Sequence, residues 1–256
     1  MHVELKNILF NKLLASIYLL IVMIFSSCNK SPVCECFESA GSQSSLIVQM
    51  PYFNQLAVHD NVNVFITQGS PESVTIEGSK NLIPNIGLSM SGVVLNLKNN
   101  NICNWLRSYK KSQINVYITM PQLISVTNSG YGKVQSVGTI TSDSLVLNTT
   151  NSSGDIQLDV NARFINSHMF GTADLVISGT CQTFLCNFFG GTGFLYNSNL
   201  TISNYGFLST NSTGDSYINC NGNFDVAIYS EGNVYYSGSA TPVLDISAGS
   251  GQLIKQ

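Results

Sequence analysis

Ionisable side chains, which most catalytic sites require, are scarce in this sequence. Lys and Arg together number 11, Asp and Glu 14 and His 3, so charged residues make up 10% of the chain. Typical soluble domains contain about 25%. Within residues 132–251 the only basic side chains are Lys133 and Arg163. Glycoside hydrolysis and related chemistry need carboxylates clustered with other ionisable groups on one exposed surface. The composition therefore predicts that the protein is not an enzyme.

The acidic and histidine side chains that remain have simpler interpretations than catalysis. Asp155 and Asp215 each directly follow a glycine, a position at which a short carboxylate typically caps a turn. A Ser-His-Asp triad would have to use His59 or His168, and His168 precedes a predicted turn, as surface or packing histidines do. Neither histidine lies beside a cysteine, so the paired pattern of a zinc site is absent. We expect no catalytic residues, no metal and no cofactor.

Residues 1–27 have the organisation of a bacterial signal peptide. The run from Leu13 to Phe25 is almost entirely apolar. It is as long as the roughly 7–15 residues of a signal-peptide core and shorter than the ~20 residues of a spanning helix. Two small residues follow it, and the segment Phe25-Ser26-Ser27-Cys28 resembles a lipobox, in which the cysteine is acylated and the peptide bond before it is cut.

Cys28 is therefore the predicted lipidation site and the predicted first residue of the mature protein. An ordinary signal peptide cut near Ser27, or an uncut anchor helix, is the alternative. Asn29 differs from the Asp-type signal that retains enterobacterial lipoproteins in the inner membrane. We expect a lipid-anchored protein of the cell envelope, held in the outer membrane and either periplasmic or exposed on the surface.

The six cysteines after Cys28 are even in number, which permits up to three disulfides outside the cytoplasm. Buried free thiols inside a repetitive fold are the alternative, and the spacing does not give a pairing. These cysteines are Cys34, Cys36, Cys103, Cys181, Cys186 and Cys220.

Residues 28–45 are rich in serine and predict a flexible tether. From residue 46 to residue 256 apolar and polar residues alternate, as at Val62, Val64 and Ile66, and no long stretch has a helical period. We therefore expect a single all-β domain over residues 46–256.

Glycines followed by a short alternating strand recur about every 20 residues in the second half of the chain. They are Gly132, Gly154, Gly171, Gly193, Gly214, Gly232 and Gly251. This period, with two short strands per unit, predicts a right-handed parallel β-helix-like solenoid, with the glycines supplying positive φ at the corners. The alternative is a sandwich of hairpins, which would favour turns such as the one Asn221-Gly222 pair.

Aromatic residues are the most conspicuous candidates for binding. Seven tyrosines could offer ring faces to a sugar or a protein, although about half of them are expected to point inward. They are Tyr131, Tyr196, Tyr205, Tyr217, Tyr229, Tyr235 and Tyr236. Phe184, Phe188, Phe189 and Phe194 form an aromatic-rich unit. We expect this unit to pack in the core, with an exposed apolar patch at Phe188-Phe189 as the alternative.

Several segments together are similar to one known family. They are Val62-Asn63-Val64-Phe65-Ile66-Thr67-Gln68-Gly69, Ile118-Thr119-Met120-Pro121-Gln122-Leu123, Asn128-Ser129-Gly130-Tyr131-Gly132 and Gly249-Ser250-Gly251-Gln252-Leu253-Ile254. In this order and spacing the chain resembles the putative auto-transporter adhesin, head GIN domain family, which occurs among Bacteroidetes-type lipoproteins. The resemblance implies a β-helix-like solenoid and brings no catalytic residues with it.

From the anchor, the repeat and the sparse charge we expect a membrane-anchored, non-catalytic envelope lipoprotein that serves as an adhesin or a surface scaffold. The alternative is an envelope protein that binds or processes carbohydrate. A glycan or a cell-surface protein is the expected ligand. Nucleic acid is not, because phosphate recognition needs clustered Lys and Arg, and the net charge of −3 comes with few basic residues.

Overall fold

The computed structural model describes residues 39–102 and 113–256. In these ranges the chain forms 17 strands and one short 3-10 helix, Ile83–Asn85, which confirms the predicted all-β class. The strands are β1 (Gln43–Val48), β2 (Gln55–Asp60), β3 (Asn63–Gln68), β4 (Ser73–Ser79), β5 (Ile86–Ser91), β6 (Val94–Asn99), β7 (Asn115–Met120), β8 (Ser125–Gly130), β9 (Val134–Thr149), β10 (Ile156–Gly171), β11 (Leu175–Gly191), β12 (Leu195–Ser212), β13 (Ser216–Cys220), β14 (Asn223–Ile228), β15 (Val234–Ser237), β16 (Pro242–Ser247) and β17 (Leu253–Lys255).

The strands stack in two long ladders and form a β-solenoid of about six turns with about 20 residues per coil, as the glycine period predicts. Ladder A runs β1–β4–β7–β3–β9–β10–β11–β12–β13–β15–β17. Ladder B runs β5–β6–β2–β8–β9–β10–β11–β12–β14–β16. Strands β9 to β12 belong to both ladders, because each is long enough to turn the corner between them.

The first coils are not wound in chain order. Strand β3 lies between β7 and β9, and β2 lies between β6 and β8. Strands β1, β4 and β5 pair antiparallel with their neighbours, unlike the parallel strands of the later coils. Strand β1 begins at Gln43, so the predicted boundary at residue 46 falls inside a strand.

The core is a set of inward-facing columns that continue from coil to coil. One column contains Leu145, Ile165, Phe184, Gly206 and Phe224 in register. The two phenylalanines are each only 1% exposed. A Cβ on Gly206 would lie 3.1 Å from the Phe224 ring, so the glycine leaves room for that ring. Burial of one such side chain contributes about 1.5–3 kcal/mol.

Six of the seven repeated glycines lie above one another at one corner, and at these six positions the predicted reason, a positive φ, is wrong. Only Gly171 has a positive φ, of 123°. The others are required because the coils approach too closely for a side chain. A Cβ on Gly154 would lie 2.0 Å from the carbonyl oxygen of Gly132, and a Cβ on Gly214 would lie 2.2 Å from that of Gly193.

Gly171 is not a member of this glycine column, and Ala173 takes its place. A Cβ on Gly193 would lie 2.2 Å from the Ala173 carbonyl oxygen, the same relation that Gly214 has to Gly193. Gly171 belongs to a second column, two residues earlier, in which it pairs with Ser152 and Gly191. The predicted glycine repeat combined positions from two adjacent columns, because both columns contain glycine.

Candidate functional site

The carboxylates predicted to cap their own turns instead bind the backbone at the corner of the next coil. Asp155 Oδ1 accepts a hydrogen bond from the Asp174 backbone N–H at 3.1 Å, and Asp174 Oδ1 accepts one from Phe194 at 2.9 Å. Asp215 Oδ1 likewise accepts one from the Asn233 N–H at 2.8 Å. Each carboxylate ties one coil to the next. Partial burial raises the pKa of Asp174, while the Phe194 N–H opposes that shift.

The two histidines of the described ranges lie on separate strands. The His168 ring stacks on Phe189, with ring centroids 5.9 Å apart, and its Nε2 lies 3.2 Å from the Asn166 side-chain amide. His59 lies on β2 and pairs in register with Ser129 of β8. Among residues 39–102 and 113–256, no three His, Cys, Asp or Glu side chains lie close enough together to hold a metal ion.

Among the residues that the structure describes, the shortest ion pair is exposed and lines a polar groove of about 450 Å³. Arg163 donates from Nε and Nη2 to the two carboxylate oxygens of Asp143, at 2.6 and 2.8 Å. These hydrogen bonds, helped by the positive charge, lower the pKa of Asp143. The rest of the groove is lined mainly by neutral hydroxyl and amide groups, including Asn161, Thr180 and Gln182. Asp143 stays ionised in this setting, which makes it unsuited to donate a proton.

Three cysteines of the solenoid are buried free thiols: Cys181, Cys186 and Cys220. Burial raises the pKa of Cys181 and of Cys186 to about 12, so neither is a reactive thiolate. Cys34, Cys36 and Cys103 lie outside the described residues, as does the predicted lipidation site Cys28.

Four aromatic rings form a continuous stack on the outer surface of ladder A. The centroids of Phe194 and Tyr196 are 5.6 Å apart, those of Tyr196 and Tyr217 are 5.6 Å apart, and those of Tyr217 and Tyr235 are 5.0 Å apart. The planes of adjacent rings differ by only 10° to 11°. Tyr196 is 41% exposed, and the other three rings are half-buried. We call these four residues the aromatic stack.

A polar cleft of about 230 Å³ adjoins this stack. Its lining includes Gln135, Gln157 and Val176, which pair in register on consecutive strands of ladder A. Val176 pairs in turn with Tyr196, the first tyrosine of the stack. The cleft and the aromatic stack therefore lie along one outward-facing row. Asp159, Ser178 and Asn199 complete the polar wall of the cleft.

The aromatic-rich unit is divided between the core and the surface. Phe184 and Phe188 are buried, as predicted, whereas Phe189 is 58% exposed. Phe194, which was expected in the core, is half-buried and stacks on Tyr196. Of the seven candidate tyrosines, Tyr131 is the most exposed at 69% but lies outside the aromatic stack.

The signal for the stack was present in the sequence. Tyr196, Tyr217 and Tyr235 each lie three residues after a column glycine, namely Gly193, Gly214 and Gly232. Side chains at the same offset in consecutive coils of a solenoid lie above one another. Reading the sequence by offset from the glycines, instead of by tyrosine content, would have found the stack. Gln135 and Gln157 of the cleft carry the same signal, because each lies three residues after a column glycine, Gly132 and Gly154, whereas Asn199 gives none.

A family model, putative auto-transporter adhesin, head GIN domain, matches residues 52–240. The chain belongs to this family. The resemblance inferred from the sequence motifs is therefore confirmed. The aromatic stack and the polar cleft lie within the matched part of this head GIN domain.

Solved structures share the fold of this head GIN domain at low sequence identity. A putative adhesin from Bacteroides fragilis superposes with a TM-score of 0.75 at 20% identity, covering 84% of this chain and 97% of that chain. One from Parabacteroides distasonis gives a TM-score of 0.61 at 16% identity, covering 84% and 98%. A comparison with curated proteins finds no match. In the described ranges no helix has the length and hydrophobicity needed to cross a membrane.

Proposed function

We propose that this protein is a non-catalytic, lipid-anchored adhesin of the bacterial cell envelope, held in the outer membrane through Cys28. The observation that carries the proposal is membership of the head GIN domain family over residues 52–240. The solenoid supports it, because outward rows of side chains repeated on successive coils give an extended surface for recognition.

The anchor is supported by the order of the N-terminal segments. A short apolar run ends in two serines and Cys28, and the first described strand, β1, begins at Gln43. Each buried methylene of an acyl chain contributes about 0.8 kcal/mol, so two or more chains hold a protein stably on a membrane. Such an anchor would keep the solenoid next to the membrane and leave its outer rows free to bind.

The absence of catalysis is supported by how the described acidic groups are used. Asp143 is paired with Arg163, and Asp155 lies 3.5 Å from the Lys133 ammonium. Asp155 and Asp174 also accept backbone N–H groups at the corners. General acid catalysis at neutral pH needs a carboxyl whose pKa is raised and whose proton faces a substrate. The pKa of Asp143 is lowered instead, and the Asp174 carboxylate accepts the Phe194 backbone N–H.

The proposal is tested in a strain that lacks the gene and is complemented with wild-type protein or with Cys28→Ala. We expect the wild type to incorporate labelled palmitate, to fractionate with the outer membrane and to restore adherence to cultured epithelial cells. Cys28→Ala is expected to lose all three properties, because the mature chain is no longer attached. Cys34→Ala is the matched control, since it removes a nearby thiol and leaves the lipobox intact.

Unchanged palmitate labelling of Cys28→Ala would show that the anchor assignment is wrong. Adherence that is the same with and without the wild-type protein would remove the adhesin assignment and leave the anchor in place. The two parts of the proposal therefore fail separately.

A further inference from the structure

The cleft and the aromatic stack form one surface with two kinds of binding group. The row Gln135–Gln157–Val176–Tyr196–Tyr217–Tyr235 crosses consecutive coils of ladder A in register. Amide groups occupy the end of this row that lines the cleft, and phenol rings occupy the other end. Adjacent strands are ~4.8 Å apart, a distance close to the length of one pyranose unit in an extended β-linked chain.

The rings overlap only partly, so part of each face remains open. Parallel rings in contact are separated by about 3.5–4.0 Å along their normal. At that separation, the centroid distances of 5.0 Å and 5.6 Å correspond to a sideways offset of about 3–4 Å between neighbours. Rings offset in this way overlap only in part, so a portion of each ring face is not covered by its neighbour. Apolar C–H groups of a sugar pack on such faces.

The polar groups of this surface suit hydroxyl ligands. Within the described part of the chain, the side-chain amides of Gln135, Gln157 and Asn199 make no hydrogen bond to another residue, so they can donate and accept. The pKa of Tyr217 is raised by partial desolvation and by the nearby Asp215, Tyr235 and Tyr196. Its hydroxyl therefore stays protonated and can donate a hydrogen bond at physiological pH.

The charges of the surface exclude an anionic ligand. No basic side chain lines the cleft or belongs to the aromatic stack. The carboxylate of Asp159, which accepts a hydrogen bond from Thr139 at 3.0 Å, gives the cleft a negative charge. Sulfated and uronic-acid glycans would meet repulsion here without a compensating cation. A protein partner would be expected to find an apolar centre with few polar groups, and the cleft has the reverse composition.

We propose that the cleft and the aromatic stack bind an uncharged glycan chain that lies across successive coils. The sugar rings would pack on Tyr196, Tyr217 and Tyr235, and their hydroxyls would bind Gln157, Asn199 and Asp159. This proposal rests on the proposed function, because it identifies the ligand class that the adhesin would recognise.

The test uses the full mature chain with Cys28→Ala, which keeps the protein unlipidated, on an array of uncharged, sialylated, sulfated and uronic-acid glycans. We expect binding to uncharged glycans only. For the best of these, affinity is measured by titration calorimetry with Tyr217→Ala, Tyr217→Phe and Gln157→Ala. Loss of one ring is expected to weaken binding about 2- to 10-fold, and Tyr217→Phe, which keeps the ring, is expected to weaken it less.

Tyr229→Ala is the matched control, because Tyr229 is 42% exposed and lies outside the aromatic stack. It is expected to bind like the wild type. Binding confined to charged glycans, no binding on the array, or equal losses for Tyr229→Ala and Tyr217→Ala would each overturn the proposal. If Tyr217→Ala fails to fold, Tyr217→Phe and Gln157→Ala decide the result. Glycan binding by a protein that does not restore adherence would support this inference and contradict the adhesin assignment. Adherence without glycan binding would support the adhesin assignment and contradict this inference.

Discussion

Replacement of Gly214 by alanine should destabilise the solenoid more than a surface glycine replacement does. Gly214 is buried in the corner column, and a Cβ there would lie 2.2 Å from the Gly193 carbonyl oxygen and 2.9 Å from that of Thr192. A carbon and a carbonyl oxygen ordinarily meet at about 3.3–3.6 Å. The added methyl group therefore requires the two coils to move apart by roughly 1 Å at this corner.

The cost follows from what that movement would disturb. The atoms in the way belong to the backbone, which cannot rotate aside as a side chain can. The Thr213 N–H donates to the Gly191 carbonyl at 3.1 Å across the same gap. Overpacking of a well-packed interior costs about 1–3 kcal/mol, and we place Gly214→Ala at the upper end. For a domain of this size, about 3 kcal/mol lowers the melting temperature by about 6–12 °C.

The assay is thermal unfolding of the mature chain, followed by far-ultraviolet circular dichroism. Gly69→Ala is the matched control, because a Cβ there meets only the Thr119 methyl group at 3.6 Å and the backbone φ is not positive. It should melt within about 2 °C of the wild type. If Gly214→Ala also melts with the wild type, the coils accommodate a methyl group at this corner, as they already do at Ala173, and the close-approach argument is refuted.

Three further predictions concern buried groups of the solenoid. Ser212→Ala should lower the free energy of unfolding by about 1–3 kcal/mol, because Ser212 Oγ donates to the Gly193 carbonyl oxygen at 2.9 Å and accepts the Gly214 N–H at 3.1 Å. Chemical denaturation measures this change. An effect no larger than that of Ser209→Ala would contradict the prediction. Cys181 and Cys186 should resist alkylation by iodoacetamide in the folded protein, as followed by peptide mass spectrometry, since burial raises the pKa of each to about 12. Rapid alkylation of the native protein at pH 8 would show that the burial is incomplete. Because these thiols ionise near pH 9 in the unfolded chain, their contribution to the free energy of unfolding should be constant below that pH and should fall as pH rises towards 12.

The sequence alone was sufficient to predict the repeat but not the geometry of its corners. A period near 20 residues is visible because each coil must place a small residue where the chain passes close to the coil before it. Gly171 and Ala173 show the limit of this reading. At the corner the backbones of two coils lie close together, and at one coil alanine fits there in place of glycine. A neighbouring column of the same corner also contains glycine. Composition at a single position cannot distinguish these cases, whereas the register between strands does.

The order of the first coils was less accessible to sequence reasoning. Strands β2 and β3 alternate like any others, and nothing in the alternation of Val62, Val64 and Ile66 reveals that β7 will pair on one side of β3 and β9 on the other. Such pairings join residues far apart in the chain, so the local alternation of apolar and polar residues does not encode them. The polar cleft was predictable only in part: Gln135 and Gln157 share the offset of the stacked tyrosines from their column glycines, whereas Asn199 has no such offset.

The buried corner and the proposed binding surface are mechanically linked. Gly193, Gly214 and Gly232 each precede by three residues a tyrosine of the aromatic stack, so each ring is carried by the strand that leaves the corner. Close contact at the glycines sets the distance between coils, and that distance sets the separation of Tyr196 and Tyr217. A methyl group that separates the coils at Gly214 would also separate these rings. On the proposed binding surface the glycines would contribute to glycan recognition without touching the glycan, because the pitch of the rings is determined in the interior of the solenoid.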